Sequence, residues 1–167
     1  MVIETAILLL FPAMMAFAAS SDLLTMTISN RVTLTLLCGF IALALVTGMG
    51  RDELLSHVGA GFAVLVVTFI FFARGWIGGG DAKLAAVTAL WFGANSTLAY
   101  FLCMALLGGL FALIIQLFRM QPLPERLLSK PWIVQLHARG TKMPYGVAMA
   151  LAAFVVFPST SWMTAIF

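Results

Sequence analysis

Charge is so sparse along this chain that the gaps between charged residues define its architecture. Runs free of Asp, Glu, Lys and Arg extend over 5–21, 32–50, 54–73, 84–118 and 143–167 of the 167 residues. A soluble domain carries charge on about a quarter of its residues. Here 9% are charged and 63% are hydrophobic, so the chain cannot solvate a closed globule. About 20 apolar residues cross the hydrocarbon layer as a helix, and four of the five runs approximate that length. The run 84–118 is too long for one ordinary span, and Gly93-Ala94-Asn95-Ser96-Thr97 interrupts it with turn formers. The spacing predicts an all-α polytopic membrane protein with six transmembrane helices, over roughly 3–20, 32–49, 54–73, 81–94, 98–118 and 143–160, built as a single unit over 1–167.

The basic residues give an independent check on that count. With six spans, Arg31, Arg74, Lys83, Arg119, Arg126, Lys130, Arg139 and Lys142 emerge on one side, and only Arg51 on the other. The excess of basic residues marks the cytoplasmic side, which leaves both termini on the non-cytoplasmic side. Treating 84–118 as one span would instead put the basic loop 119–142 outside. Ala16-Phe17-Ala18 resembles a signal-peptidase site, but no basic residue precedes the first apolar run, so an uncleaved helix is expected. Within 119–142, Leu127, Leu128, Trp132, Ile133, Val134 and Leu136 mix with charged residues on either side of Pro131. That segment reads either as interfacial and amphipathic or as a loop whose charges only set topology. A net charge of +3, thinly spread, makes no nucleic-acid-binding stripe. Cys38 and Cys103 stand alone in apolar runs and suggest neither a disulfide framework nor a metal site.

Four of the six acidic residues have ordinary positions. Glu4, Asp52 and Glu53 lie in outer flanks, and Glu125 lies in the long loop. Asp22 ends the first span and Asp81 begins the fourth, so both emerge on the same side. Ionisable groups at membrane depth are costly and mark pathways or sites. Gly75, Gly78, Gly79 and Gly80 precede Asp81, and such a backbone is tolerated near the bilayer only beside protein or water. Two carboxyls held close share a proton, so one can activate water while the other donates to a carbonyl oxygen. The pattern leaves open a second use of the same aspartates, as a proton or ion relay in a small transport protein. A non-catalytic assembly subunit is a third reading. His57 and His137 fall on opposite sides, and no H-E-x-x-H or G-x-S-x-G is present. His57 is expected at an interface and His137 in a solvated loop, with no serine paired to a buried histidine.

At these residues a family resemblance enters. Gly78-Gly79-Gly80-Asp81-Ala82-Lys83 resembles the G-x-G-D-x-K motif of the type IV prepilin peptidases, which are membrane aspartic proteases. Asp22 followed by Ile28-Ser29-Asn30 is similar to the family's first aspartate and its I-P-N signature, and Pro144-Tyr145-Gly146 to its P-Y-G element. Ser29 stands where the family has proline, which is expected to loosen the turn after Asp22. The resemblance implies an aspartic endopeptidase that needs no metal or cofactor and has Asp22 and Asp81 as its catalytic dyad. Gly78, Gly80, Lys83, Asn30, Pro144 and Tyr145 would position the loop or substrate, with Lys83 anchoring at the headgroups by snorkelling. It further implies, as partner, a pilin or pseudopilin precursor whose short basic leader is cut at the cytoplasmic face of a bacterial inner membrane. The CxxC-bearing region of the longer, methylating members is missing, so the chain is similar to the short form of tight-adherence pilus systems. Membrane lipids are the other expected partners.

Overall fold

The computed structural model describes residues 2–138, 140 and 142–164. Every element among them is helical. Four helices are long and apolar enough to cross a membrane: α1 (Val2–Thr25), α2 (Asn30–Thr47), α3 (Arg51–Ala73) and α4 (Gly79–Met120). Two short helices follow, α5 (Glu125–Leu128) and α6 (Pro131–His137). Next come α7 (Tyr145–Val156), a 3₁₀ turn (Phe157–Ser159) and α8 (Ser161–Thr164). The chain is therefore an all-helical membrane protein.

Local chemistry sets the helix ends. Ser29 stands at φ −67° and its hydroxyl accepts the Arg31 amide, capping α2. A proline would fix nearly the same angle. Ser29 thus stands at the angle a proline would fix and adds a side-chain cap to α2. Gly48, at φ 66°, ends α2 in the left-handed conformation that glycine adopts without strain. Pro131 opens α6, the first-turn position at which a missing amide costs nothing.

α4 runs through 42 residues but breaks at Gly93, where φ is 65° and ψ 177°. The two arms, 79–92 and 94–120, fold back on each other, so that the Phe92 ring of the first packs edge-on against Tyr100 of the second. The expected five-residue turn at 93–97 is thus a single glycine. Residues 94–97 stay helical because α3 satisfies the broken ends. Ser56 Oγ accepts the Ala94 amide at 3.1 Å, and Thr97 Oγ1 donates to the Gly93 carbonyl at 2.6 Å. His57 Nδ1 lies 2.8 Å from the Leu90 carbonyl, which can only accept, so Nδ1 carries the proton. Nε2 faces Ser161 Oγ at 3.3 Å and Glu53 Oε1 at 4.0 Å. His57 is 3% exposed and has a serine partner, which corrects the expectation that no serine has a buried histidine partner. The physical reason is the helix break, whose orphan carbonyl and amide need side-chain partners. His57→Ala leaves the Leu90 carbonyl without its donor and should cost about 1–3 kcal/mol. A lower thermal midpoint checks this, with His57→Gln, which keeps a donor, recovering part of the loss.

The core is aromatic where the helices meet far from the aspartates. Phe11, Phe40, Trp91, Phe92, Phe157 and Trp162 pack together. Each indole N–H among them has a backbone acceptor: Trp91 Nε1 donates to Leu36 and Trp162 Nε1 to Trp91. Towards the aspartates the contacts become small. Ala148, Ala150, Ala152 and Ala153 of α7 are buried, and Gly108 of α4 faces Ala148. Small residues let membrane helices approach closely, and α7 packs against both α1 and α4. The segment after α4 folds back rather than dangling. Arg119 Nε donates to the Leu136 carbonyl at 2.8 Å, and the His137 ring packs edge-on against Phe118. His137, expected in solvent, also bonds the Gln121 carbonyl at 2.8 Å. Arg139, counted among the basic residues of this loop, lies outside the described residues.

Candidate active site

Asp22 and Asp81 both sit where helices begin or end. α1 continues past the expected end of the first span to Thr25, so Asp22 occupies its final turns and is 5% exposed. Its Oδ2 accepts the Gly146 amide at 2.7 Å. Gly146 is the second residue of α7, after Pro144 as N-cap and Tyr145. A carboxylate from a different helix thus caps α7, where exposed amides and the helix dipole favour negative charge. Glycine is needed there because a Cβ on residue 146 would lie 2.9 Å from Asp22 Oδ2 and 3.0 Å from Asp22 Cβ.

Asp81 is the third residue of α4, after Gly78 as N-cap. Its carboxyl lies close against Gly78 at the start of the helix, where exposed amides and the helix dipole favour negative charge. A Cβ on Gly78 would meet Asp81 Oδ2 at 2.8 Å, so a side chain there would push the Asp81 carboxyl aside. Gly80 completes the assembly from the other side. Its α-carbon packs on Ile28, where an added Cβ would come within 3.0 Å of the Ile28 Cβ. This close approach presses the 22–30 turn against the start of α4. The Asp22 charge consequently acts on Asp81, as does that of Lys142, which precedes α7.

The sequence-selected residues therefore divide into two groups. Asp22, Asp81, Gly78, Gly80, Pro144 and Tyr145 converge at one end of the bundle. Lys83 and Asn30 meet each other instead, with Lys83 Nζ donating to Asn30 Oδ1 at 3.0 Å. Lys83 is thus tied to the start of α2 in addition to any headgroup contact. Sequence reasoning did not single out three further features. One is the amide of Gly146 as a ligand of Asp22. Another is Thr68, buried on α3, whose hydroxyl reaches the Ala82 carbonyl at 3.3 Å beside Asp81. The third is a cavity of about 570 Å³ that Asp81, Thr68 and Tyr145 border. Its other walls are apolar, with Val64, Val67 and Phe71 from α3, Met104 from the second arm of α4, and Met149 from α7. Val67, Phe71 and Tyr145 are 39–48% exposed, so the cavity opens sideways between α3 and α7.

Among the described residues no cluster of three His, Cys, Asp or Glu side chains could hold a metal ion. The chemistry on offer is that of one carboxyl, Asp81, bordering an apolar chamber, with the charge of a second, Asp22, acting on it, in a helical membrane protein. Residues 9–113, which include both aspartates and the glycine loop, match the type IV leader peptidase family. The chain belongs to that family, and membership supports a prepilin leader peptidase type of function. No curated protein and no solved structure matches it.

Proposed function

We propose that the protein is an aspartic endopeptidase that removes the short basic leader from type IV prepilins or prepilin-like precursors. The observation that carries this reading is that Asp81 borders the apolar chamber while the charge of Asp22 acts on it. One carboxylate takes a proton from water as the oxygen attacks the scissile carbonyl carbon. The other, protonated, gives its proton to the carbonyl oxygen. The tetrahedral diol then collapses, the C–N bond breaks, and the leaving amine takes a proton from the dyad. The Gly146 amide holds the Asp22 carboxyl in place, so a lost proton does not displace it.

Depth supports the same reading. The first arm of α4 has 14 residues (79–92), about 21 Å of helix against a ~30 Å hydrocarbon layer. The apolar helix Tyr145–Ser159 is similarly short. Both begin at the dyad, so six spans with both termini outside sink the aspartates below the headgroups on the basic, cytoplasmic face of the bacterial inner membrane. The chamber beside Asp81 then receives the apolar segment that follows the cut, while the basic leader stays in water. The whole chain acts as one membrane-embedded peptidase unit.

The test is direct. Protein in nanodiscs is incubated with a membrane-inserted prepilin carrying a short basic leader, and leader loss is followed by gel shift and mass spectrometry. Cleavage at the leader junction supports the reading. Intact substrate together with aspartate-dependent proton flux in liposomes would overturn it in favour of a relay. Val67→Trp, which narrows the chamber without touching the aspartates, should raise KM about tenfold with little change in kcat, the pattern of lost substrate binding. Initial rates across a substrate series check this.

A further inference from the structure

α2 and α3 are joined by only three residues, 48–50, yet they barely touch. α2 packs on α1 and α4, while α3 packs on α4. Gly61 brings α3 down onto the first arm of α4, where an added Cβ would lie 2.9 Å from the Leu90 Cβ. The two helices thus stand side by side on one floor with a slot between them. This slot is separate from the chamber at Asp81. It holds about 300 Å³ and is walled by Leu37 of α2 and by Val58, Phe62 and Leu65 of α3, over Val87 of α4. From Lys83 at one end to Leu90 at the other it follows seven residues of helix, roughly 10 Å.

Lys83 is the one charged residue of the lining. Its ammonium gives one proton to Asn30 Oδ1 and keeps two to donate. Arg31, exposed and adjacent to Asn30, lies at the same end of α2. Among the described residues neither cation has a carboxylate at salt-bridge distance. The slot is far too narrow for a helix, which needs about 10 Å with its side chains, and it faces the bilayer. A narrow apolar channel with the Lys83 ammonium at one end, near the membrane boundary, matches an acyl chain attached to an anionic headgroup.

We propose that the α2–α3 slot is a resident site for one chain of an anionic phospholipid, with its phosphate on Lys83. This does not depend on the peptidase reading, and its test measures bound lipid rather than cleavage. The protein is exchanged into detergent with equal phosphatidylglycerol and phosphatidylcholine of matched chains, and retained lipid is counted by native mass spectrometry. One phosphatidylglycerol per protein is expected, favoured about fivefold over phosphatidylcholine. Lys83→Gln should remove that preference, since glutamine still reaches Asn30 but carries no charge. Val58→Trp should fill the slot and abolish retention of either lipid. Leu106→Trp, on a side chain 77% exposed elsewhere on the bundle, should retain phosphatidylglycerol as the unaltered protein does. Equal retention of the two lipids, or undiminished retention in folded Val58→Trp protein, overturns the site.

Discussion

Asp22→Asn and Asp81→Asn should each lower leader removal by at least about a hundredfold, the smallest loss typical of a missing general acid or base. Asparagine is nearly the same size and keeps a carbonyl oxygen. In Asp22→Asn that oxygen still accepts the Gly146 amide, so α7 stays docked on α1. Asp81→Asn likewise keeps a side chain of the same size, with a carbonyl oxygen, at the start of α4. The fold therefore survives while proton transfer is lost. Because the two carboxyls act as one unit, the double variant should be scarcely worse than either single one. Initial rates on a prepilin substrate give the answer, with circular dichroism and gel filtration confirming the folded state. A single variant that cleaves at more than a tenth of the normal rate would remove that aspartate from the mechanism.

Gly146→Ala should be nearly as damaging although it removes no functional group. The new methyl carbon would lie within 2.9–3.2 Å of three Asp22 side-chain atoms. Neither side can yield cheaply, because Asp22 is a short side chain near the end of α1 and residue 146 belongs to the backbone of a packed helix. One element must shift, and a misplacement of about 1 Å costs on the order of a hundredfold in rate. The loss should fall on kcat, since the chamber walls at Val64, Val67 and Met104 are untouched. Gly109→Ala is the control, because nothing lies within 4 Å of a Cβ at that position. Equal activity of the two variants would mean that the Asp22–Gly146 contact does not position the dyad.

The two aspartates were legible because carboxylates are conspicuous in so apolar a chain, and their positions at span ends followed from counting spans. What holds them was not. The Gly146 amide is a backbone donor, and no residue letter encodes where a backbone donor points. The chamber escaped notice for a related reason. Val67, Phe71 and Met104 read from sequence like any side chain facing lipid, and only the splaying of α3 from the second arm of α4 gives them a cavity to line. His57 was misread because its partners, the Leu90 carbonyl and the hydroxyl of Ser161, are 33 and 104 residues away. Lys83 and Asn30 were each singled out, but their contact spans 53 residues and could not be seen in either. Ser29 was read as a loss against proline. Its cap on α2 and its proline-like φ show that two different residues can hold the same turn.

The bond from Gly146 to Asp22 links residues 124 positions apart, and this sets a clock on assembly. At ordinary synthesis rates of about 5–20 residues per second, roughly 6–25 s pass between the making of Asp22 and the making of its amide partner. During that interval α1 to α4 can enter the bilayer, but Asp22 has no ligand and the dyad no fixed spacing. On the proposed peptidase reading, the site is therefore complete only once α7 has docked on α1.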